Sequence, residues 1–259
     1  MTVNNIASNQ MSDAMMRLSS GQRINSAADD AAGLAIVEDM TAQIRGMDQG
    51  ISNTRDMQGL VQTAEGGLDT ISDSLQRVRE LSVQALNGTN TDAQRAMIQG
   101  EIEQLTQGIE AAVQGTEFNT MNLLDGSVQG ANTASGPDGT GAVVNINDMS
   151  SIAQAVTAFN EEGAFDLSQI DSAISQVAGE RANLGAMYNR FDYTADASSL
   201  SSLNLADARS RIADADMAEE AMNLEQDRVI NEMQVMLQQQ EQDNMEENAQ
   251  LMAPVVSGM

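Results

Sequence analysis

The side chains with the widest chemical options here are carboxylates. Asp29-Asp30, Asp214-Ala215-Asp216 and Glu219-Glu220 could each offer several oxygens to a hard cation. None sits in a twelve-residue loop with a central Gly and a closing Glu, as a calcium loop requires, so these runs read as solvated acidic faces and no metal site is assigned. Composition closes most other chemistry. There is no Cys and no His, which removes thiolate nucleophiles, imidazole bases, Cys/His zinc sites and disulfides. Every positive charge is Arg, so no Lys can form a Schiff base. The Gly residues near 136–141 precede no Lys and open no helix, and GxSxG is absent. Paired carboxylates alone can hydrolyse glycosides, but only across a cleft, and these fall mainly on outward helix faces. The expectation is a protein that is not an enzyme and needs no cofactor.

Charge narrows the partners. With 12 basic against 38 acidic residues the chain carries a formal charge of -26. That surface repels nucleic acid and anionic membranes, leaving proteins and cations. The acid excess fits a saline habitat and simple solubility equally well. No apolar run approaches the roughly 18 residues needed to cross a bilayer. The opening MTVNNIASNQ lacks the basic-then-apolar order of a secretory signal.

Only 2% of residues are aromatic, Trp is absent, and Met is used 18 times. Such a core lacks bulky filler and suits long helices packed side by side, with two Pro to break them. Between 51 and 86, Ala64, Leu68, Ile71, Leu75, Val78, Ser82 and Ala85 alternate steps of four and three, the seam of neighbouring helices. Helix over that span would run roughly 54 Å, which predicts a rod. Asn87-Gly88-Thr89-Asn90 stops it, and Ile98, Ile102, Leu105, Ile109 and Ala112 then repeat the spacing on an antiparallel neighbour. A third seam runs through Ile170, Ile174, Val177, Arg181, Leu184, Tyr188 and Phe191.

Between these helices, 115–150 is rich in Gly, Asn, Ser and Thr, with turns at Asp125-Gly126 and Pro137-Asp138-Gly139. Val144 and Ile146 alternate with Asn, enough for one short strand, and Val128 is placed in a second to make a small hairpin. Near the N-terminus, Met11, Met15 and Leu18 lie on one helical face before Ser19-Ser20-Gly21 breaks it. SSLSSLNL (198–205) is read as an interruption, with a last helix from Arg209 to Met245 and a boundary near 206. Met11, Met15, Met217, Met222, Met233, Met236 and Met245 gather in the two terminal segments, where thioethers suit a partner interface as well as packing between helices.

RLSSGQRINSAADDAAGLAI (17–36), QTAEGGLDTISDSLQRVRELSVQALNGTN (62–90), EFNTMNLLDG (117–126), RANLGAMYNRF (181–191) and ARSRIADADMAEE (208–220) closely resemble bacterial flagellin, in flagellin's order. The resemblance covers nearly all of 17–240. It departs at EQDNMEENAQLMAPVVSGM, more acidic than the apolar, Gln-rich close of flagellins.

The resemblance implies an all-α fold: an elongated, coiled-coil-like helical rod with a small β-hairpin region and paired terminal helices. Its divisions would be 1–30 and 207–259 for the inner core, 31–125 and 166–206 for the rod, and 126–165 for a short insertion replacing the variable outer domain. It implies a subunit that self-assembles into the flagellar filament for swimming, secreted to the extracellular flagellum by flagellar type III export without a cleaved signal. The implied partners are further copies of itself, the flagellar cap, hook-filament junction proteins, and an export chaperone at the C-terminal helix. A hook-filament junction protein is the nearest rival; an enzyme displayed on filaments would need a catalytic insert that 126–165 does not offer. The rod seam is assigned to Leu68, Ile71, Leu75, Val78, Ile98, Ile102, Leu105, Ile109, Ile174, Val177 and Leu184. Flagellins with this motif are recognised by a vertebrate Toll-like receptor, and carried over by motif, Arg77, Leu81 and Glu101 would form that surface and a subunit contact. Arg79, flanking the seam, is expected to brace the helices.

Overall fold

The computed structural model describes residues 2–157 and 166–256. Of the insertion read at 126–165, residues 158–165 lie outside the described residues, as do Met1 and 257–259 of the segments read as the inner core. Among the described residues are six helices: α1 (Thr2–Ser20), α2 (Ala31–Ala85), α3 (Asp92–Gly115), α4 (Ser150–Thr157), α5 (Leu167–Ala213) and α6 (Met217–Val256). Two antiparallel hairpins pair β1 (Glu117–Phe118) with β2 (Met121–Asn122) and β3 (Ala131–Ala134) with β4 (Gly141–Val144). The fold is all-α in the main, with terminal helices α1 and α6 packed together. The chain divides into one unit of 1–41 and 204–259 and another of 42–203.

The helix limits follow local chemistry. Gly21 takes φ +69 and donates to the Arg17 carbonyl, closing α1 with a left-handed residue that costs Gly little. Thr91 and Gln94 form a reciprocal capping box at the start of α3. Asp30 accepts from the Gly33 amide at the start of α2, and Asp216 accepts from the Ala218 and Glu219 amides at the start of α6. Contrary to the expected break at 198–205, α5 runs through SSLSSLNL and ends at Ala213. That stretch lacks Gly and Pro, and Ser202, nearly buried, bonds the Asp48 carboxylate of α2 at 2.9 Å, so tertiary context outweighs the weak propensity of serine.

In the 42–203 unit, α2 and α5 are antiparallel at constant register. Four contacts show it: Asp48 with Ser202, Gln58 with Asp192, Asp69 with Arg181, and Arg79 with Asp171. Residues fall along one helix in the steps by which they rise along the other. The core lies along α2: Ala64, Leu68, Ile71, Leu75, Val78 and Ser82 have no exposed surface. On α3, Thr106 and Val113 are buried where Leu105 and Ala112 are only partly so. On α5, Ala173 and Glu180 are buried while Ile174 and Tyr188 are partly buried and Arg181 stays half exposed. On α5 the spacing of seven itself holds, since Ile170, Val177, Leu184 and Phe191 are all buried; the second buried position lies three residues after Ile170 and Val177, at Ala173 and Glu180, rather than four.

The expected hairpin is placed differently. Val144 closes β4, but its partner strand is Ala131–Ala134, and Val128 and Ile146 lie beyond it, joined by an Ile146 amide to Val128 carbonyl bond of 3.0 Å. The hairpin turn sits directly on α2. A Cβ on Gly50 would run into the Ser135 carbonyl, one on Gly46 would come 2.9 Å from the Pro137 Cα, and Asn53 Nδ2 donates to the Ala134 carbonyl at 2.9 Å. Helix α4, which the sequence pattern did not suggest, buries Ile152, Ala153 and Val156 and packs on α3.

Candidate functional site

Among the described residues no three carboxylates gather to hold a metal ion, and no helix is long and apolar enough to cross a membrane. The acid pairs that opened the sequence reading have local work instead. Asp29 Oδ2 accepts from the Asn25 and Ser26 amides and from the Ser26 hydroxyl. Asp30 and Asp216 cap helices, and Glu219 and Glu220 lie in the first turn of α6, where carboxylates suit the helix dipole. Glu220 accepts from Arg17 Nη1 at 3.5 Å, while Arg17 Nη2 lies 3.7 Å from Asp29.

Arg17 thus stands between the loop after α1 and the start of α6. Backbone bonds tie the same place: the Arg23 amide donates to the Ala213 carbonyl at 2.6 Å, and the Ala215 amide to the Gly21 carbonyl at 3.0 Å. The LSSGQR and IADAD motifs therefore meet as one short backbone bridge, centred on Gln22 and Asp214.

The Ser26 amide, the Ser26 hydroxyl and then the Asn25 amide hold the Asp29 carboxyl below the usual carboxylate range. A carboxyl depressed in the folded state stabilises fully above its unfolded pKa, about 3.9, and that contribution is lost as pH falls through the lower folded value. The difference in thermal midpoint between the chain and Asp29→Asn should therefore be constant from neutral to about pH 5 and shrink in stronger acid. A difference that widens on acidification would contradict this role.

Outside this junction, α1 and α6 leave much apolar surface uncovered. Met15, Met217, Met222, Val229, Met233, Met236, Leu237 and Met245 are all exposed, whereas Met11, Leu18, Leu224 and Ile230 are half buried. A two-helix pair with apolar side chains on both faces is only half packed.

In the other unit, Arg77 Nη2 bonds Glu101 Oε1 at 2.9 Å and Nη1 bonds Glu80 Oε2 at 3.1 Å, linking α2 to α3. Glu101 first, then Glu80, raise the Arg77 pKa above its ordinary value. Arg79 bonds Asp171 of α5 at 2.6 Å, with its pKa raised by that hydrogen bond. Arg77 and Glu101 are exposed, but Leu81 is 2% exposed and belongs to the core. Of the seam residues, Leu68, Ile71, Leu75, Val78, Ile98, Ile102, Ile109, Val177 and Leu184 are buried, with Leu105 and Ile174 partly so.

Glu180 is a residue that sequence reasoning missed. It is 2% exposed, and its two carboxylate oxygens accept from the Asn147 amide at 3.2 Å and Asn147 Nδ2 at 2.6 Å. It fixes the segment after β4 to α5, and a single Glu one place from the predicted seam position carries no signal of that pairing.

Residues 1–129 match the bacterial flagellin N-terminal helical region, and residues 167–246 the C-terminal helical region. A flagellin of Halalkalibacterium halodurans is 42% identical over 245 residues, covering 90% of this chain and 89% of that one. A flagellin of Bacillus subtilis is 41% identical over 285 residues, covering 93% of each. A structure described as a putative flagellar hook-associated protein from Vibrio parahaemolyticus superposes with a TM-score of 0.61 over 72% of this chain and all of that one. At 18% identity that likeness concerns the fold alone.

Proposed function

The chain belongs to the bacterial flagellin family, and we propose that its assembly runs chiefly through the apolar faces that α1 and α6 leave open. It is a structural subunit that self-assembles into the flagellar filament for swimming motility, an extracellular polymer. The observation that carries the assembly reading is the run of exposed Met, Val and Leu on α6. A helix with this much uncovered apolar surface gains by packing against copies of itself. The binding energy comes from buried apolar area, with no catalytic step in the role.

Purified chain brought above a threshold concentration should give tubular filaments by negative stain and a sedimenting pellet. A protein that stays monomeric across ionic strengths would overturn the reading. Export through the flagellum's own channel, an export chaperone on the C-terminal helix, and end contacts with cap and junction proteins complete the proposal.

A second role rests on the exposed Arg77–Glu101 pair bridging α2 and α3. We assign to it a subunit contact that a host Toll-like receptor can also read, with Leu81 supporting the surface from within the core. Arg77→Ala should weaken receptor activation in reporter cells while leaving the monomer folded. Unchanged activation removes the assignment.

A further inference from the structure

Two grooves lie end to end along α5 in the 42–203 unit. One, of about 630 Å³, is walled by α5 on one side and by Met47 and the β3–β4 turn at Ser135–Pro137 on the other. The next, of about 460 Å³, continues past Val143 and Asn147. Ala186 and Arg190 line both, so Arg190 stands at the middle of one trough.

Its chemistry is unlike the rest of the molecule. In a chain with 38 acidic residues, no carboxylate among the described residues lines either groove, and Arg190 is the one charged side chain among the described residues that do. The Arg190 guanidinium is exposed and makes no hydrogen bond or ion pair with any described residue; the same holds for Arg45 and Arg55, but of the three only Arg190 lines either groove, and Arg77, Arg79 and Arg181 are bonded to carboxylates. Tyr193, one turn along, is 75% exposed, the most exposed large apolar side chain among the described residues. Arg and Tyr are the types that carry most of the energy where proteins meet. The opposite wall is held on α2 by the close approach at Gly46 and Gly50 and by the Asn53 bond, so the trough is preformed.

We propose that this trough receives a carboxylate-bearing segment of a second copy of this chain, with Arg190 pairing the carboxylate and Tyr193 covering the apolar stem. The proposal rests on the filament reading above and adds a specific contact to it. Charge complementarity selects the occupant: a guanidinium without a carboxylate partner among the described residues meets, in the polymer, neighbours that each carry a net charge of -26. A helical polymer also requires two different faces on each subunit, a receiving groove and a donated segment.

The test compares the chain with Arg190→Glu and Tyr193→Ser. Both changes are at the surface, so far-UV circular dichroism and the thermal midpoint of the monomer should match the unmodified chain. The critical concentration for filament formation should rise at least about tenfold, as for the loss of one dominant interface residue, and less for Arg190→Lys. Because the sequence has no Cys, Ser201→Cys carrying a benzophenone places one photo-cross-linker in the groove. It should capture a second copy in filaments. Unchanged critical concentrations for both variants, or a Ser201→Cys thiol that stays open to a bulky reagent in filaments, would overturn the proposal, the groove then facing solvent or some other partner. Should the unmodified chain form no filaments, the filament reading falls, and the trough is judged by the cross-link in concentrated solution: a captured second copy supports it and none overturns it.

Discussion

Replacing Leu75 by Ala is expected to destabilise the 42–203 unit by about 2–5 kcal/mol, the cost of removing a fully buried Leu side chain and leaving a partly collapsed cavity. Leu75 has no exposed surface and lies between Ile71 and Val78 on the α2 seam, also fully buried. The seam matters more here than in a chain with aromatic filler, because only 2% of residues are aromatic and small aliphatic contacts carry the core. For an unfolding unit of this size, that loss lowers the midpoint by roughly 2–4 °C for each kcal/mol. Leu200→Ala is the matched control: the same atoms leave α5 at a position 61% exposed, and the cost should stay within about 0.5 kcal/mol. Thermal melts of the two variants giving equal losses would show that the buried seam is not what holds the unit together.

Assembly should strengthen as salt is raised from about 10 mM to about 150 mM, over which the screening length falls from roughly 30 to roughly 8 Å. Between Asp214 and Glu247 the only positive charge is Arg228, against acids that include Glu225, Asp227, Glu232, Glu241, Asp243, Glu246 and Glu247. Within the subunit, Glu232 is paired by Arg228 and Glu220 by Arg17, leaving most of that charge uncompensated. Bringing copies of α6 together sets like charges within a screening length, which opposes the apolar gain until ions intervene. Divalent cations should act at lower concentration than sodium. Sedimentation showing equal or better polymerisation at low salt would sink the idea that acidity governs the threshold.

These expectations differ in how far the sequence alone supports them. The stripe from Ala64 to Ala85 was legible because a helix repeats its faces every three to four residues, and a buried seam must then repeat apolar residues at that period. The stops at Gly21 and at Asn87-Gly88 were legible for a related reason: left-handed closure and turn chemistry depend on a few adjacent residues. Flagellin membership was legible in motifs that run most of the chain.

What involves partners distant in sequence was not. The register of α2 on α5 decides that Ser202 bonds Asp48 and keeps α5 helical through 205, against the local reading of a break. Packing buries Leu81 beside the seam residue Ser82, and it puts Glu180, not Arg181, in the core, where Asn147 donates to both carboxylate oxygens. Asp29, Asp30 and Asp216 looked like solvated acids and proved to be acceptors for backbone amides, because a cap is defined by the fold of the loop beside it. Strand pairing of Ala131–Ala134 with Gly141–Val144, and the seating of their turn on Gly46 and Gly50, depend on how closely two backbones approach. Periodicity and turn residues thus determined most of the long helices, and the motifs determined the family. Which side chains are covered, which charges are paired, and where the Arg190 trough lies were decided only by the packing of segments far apart in the chain.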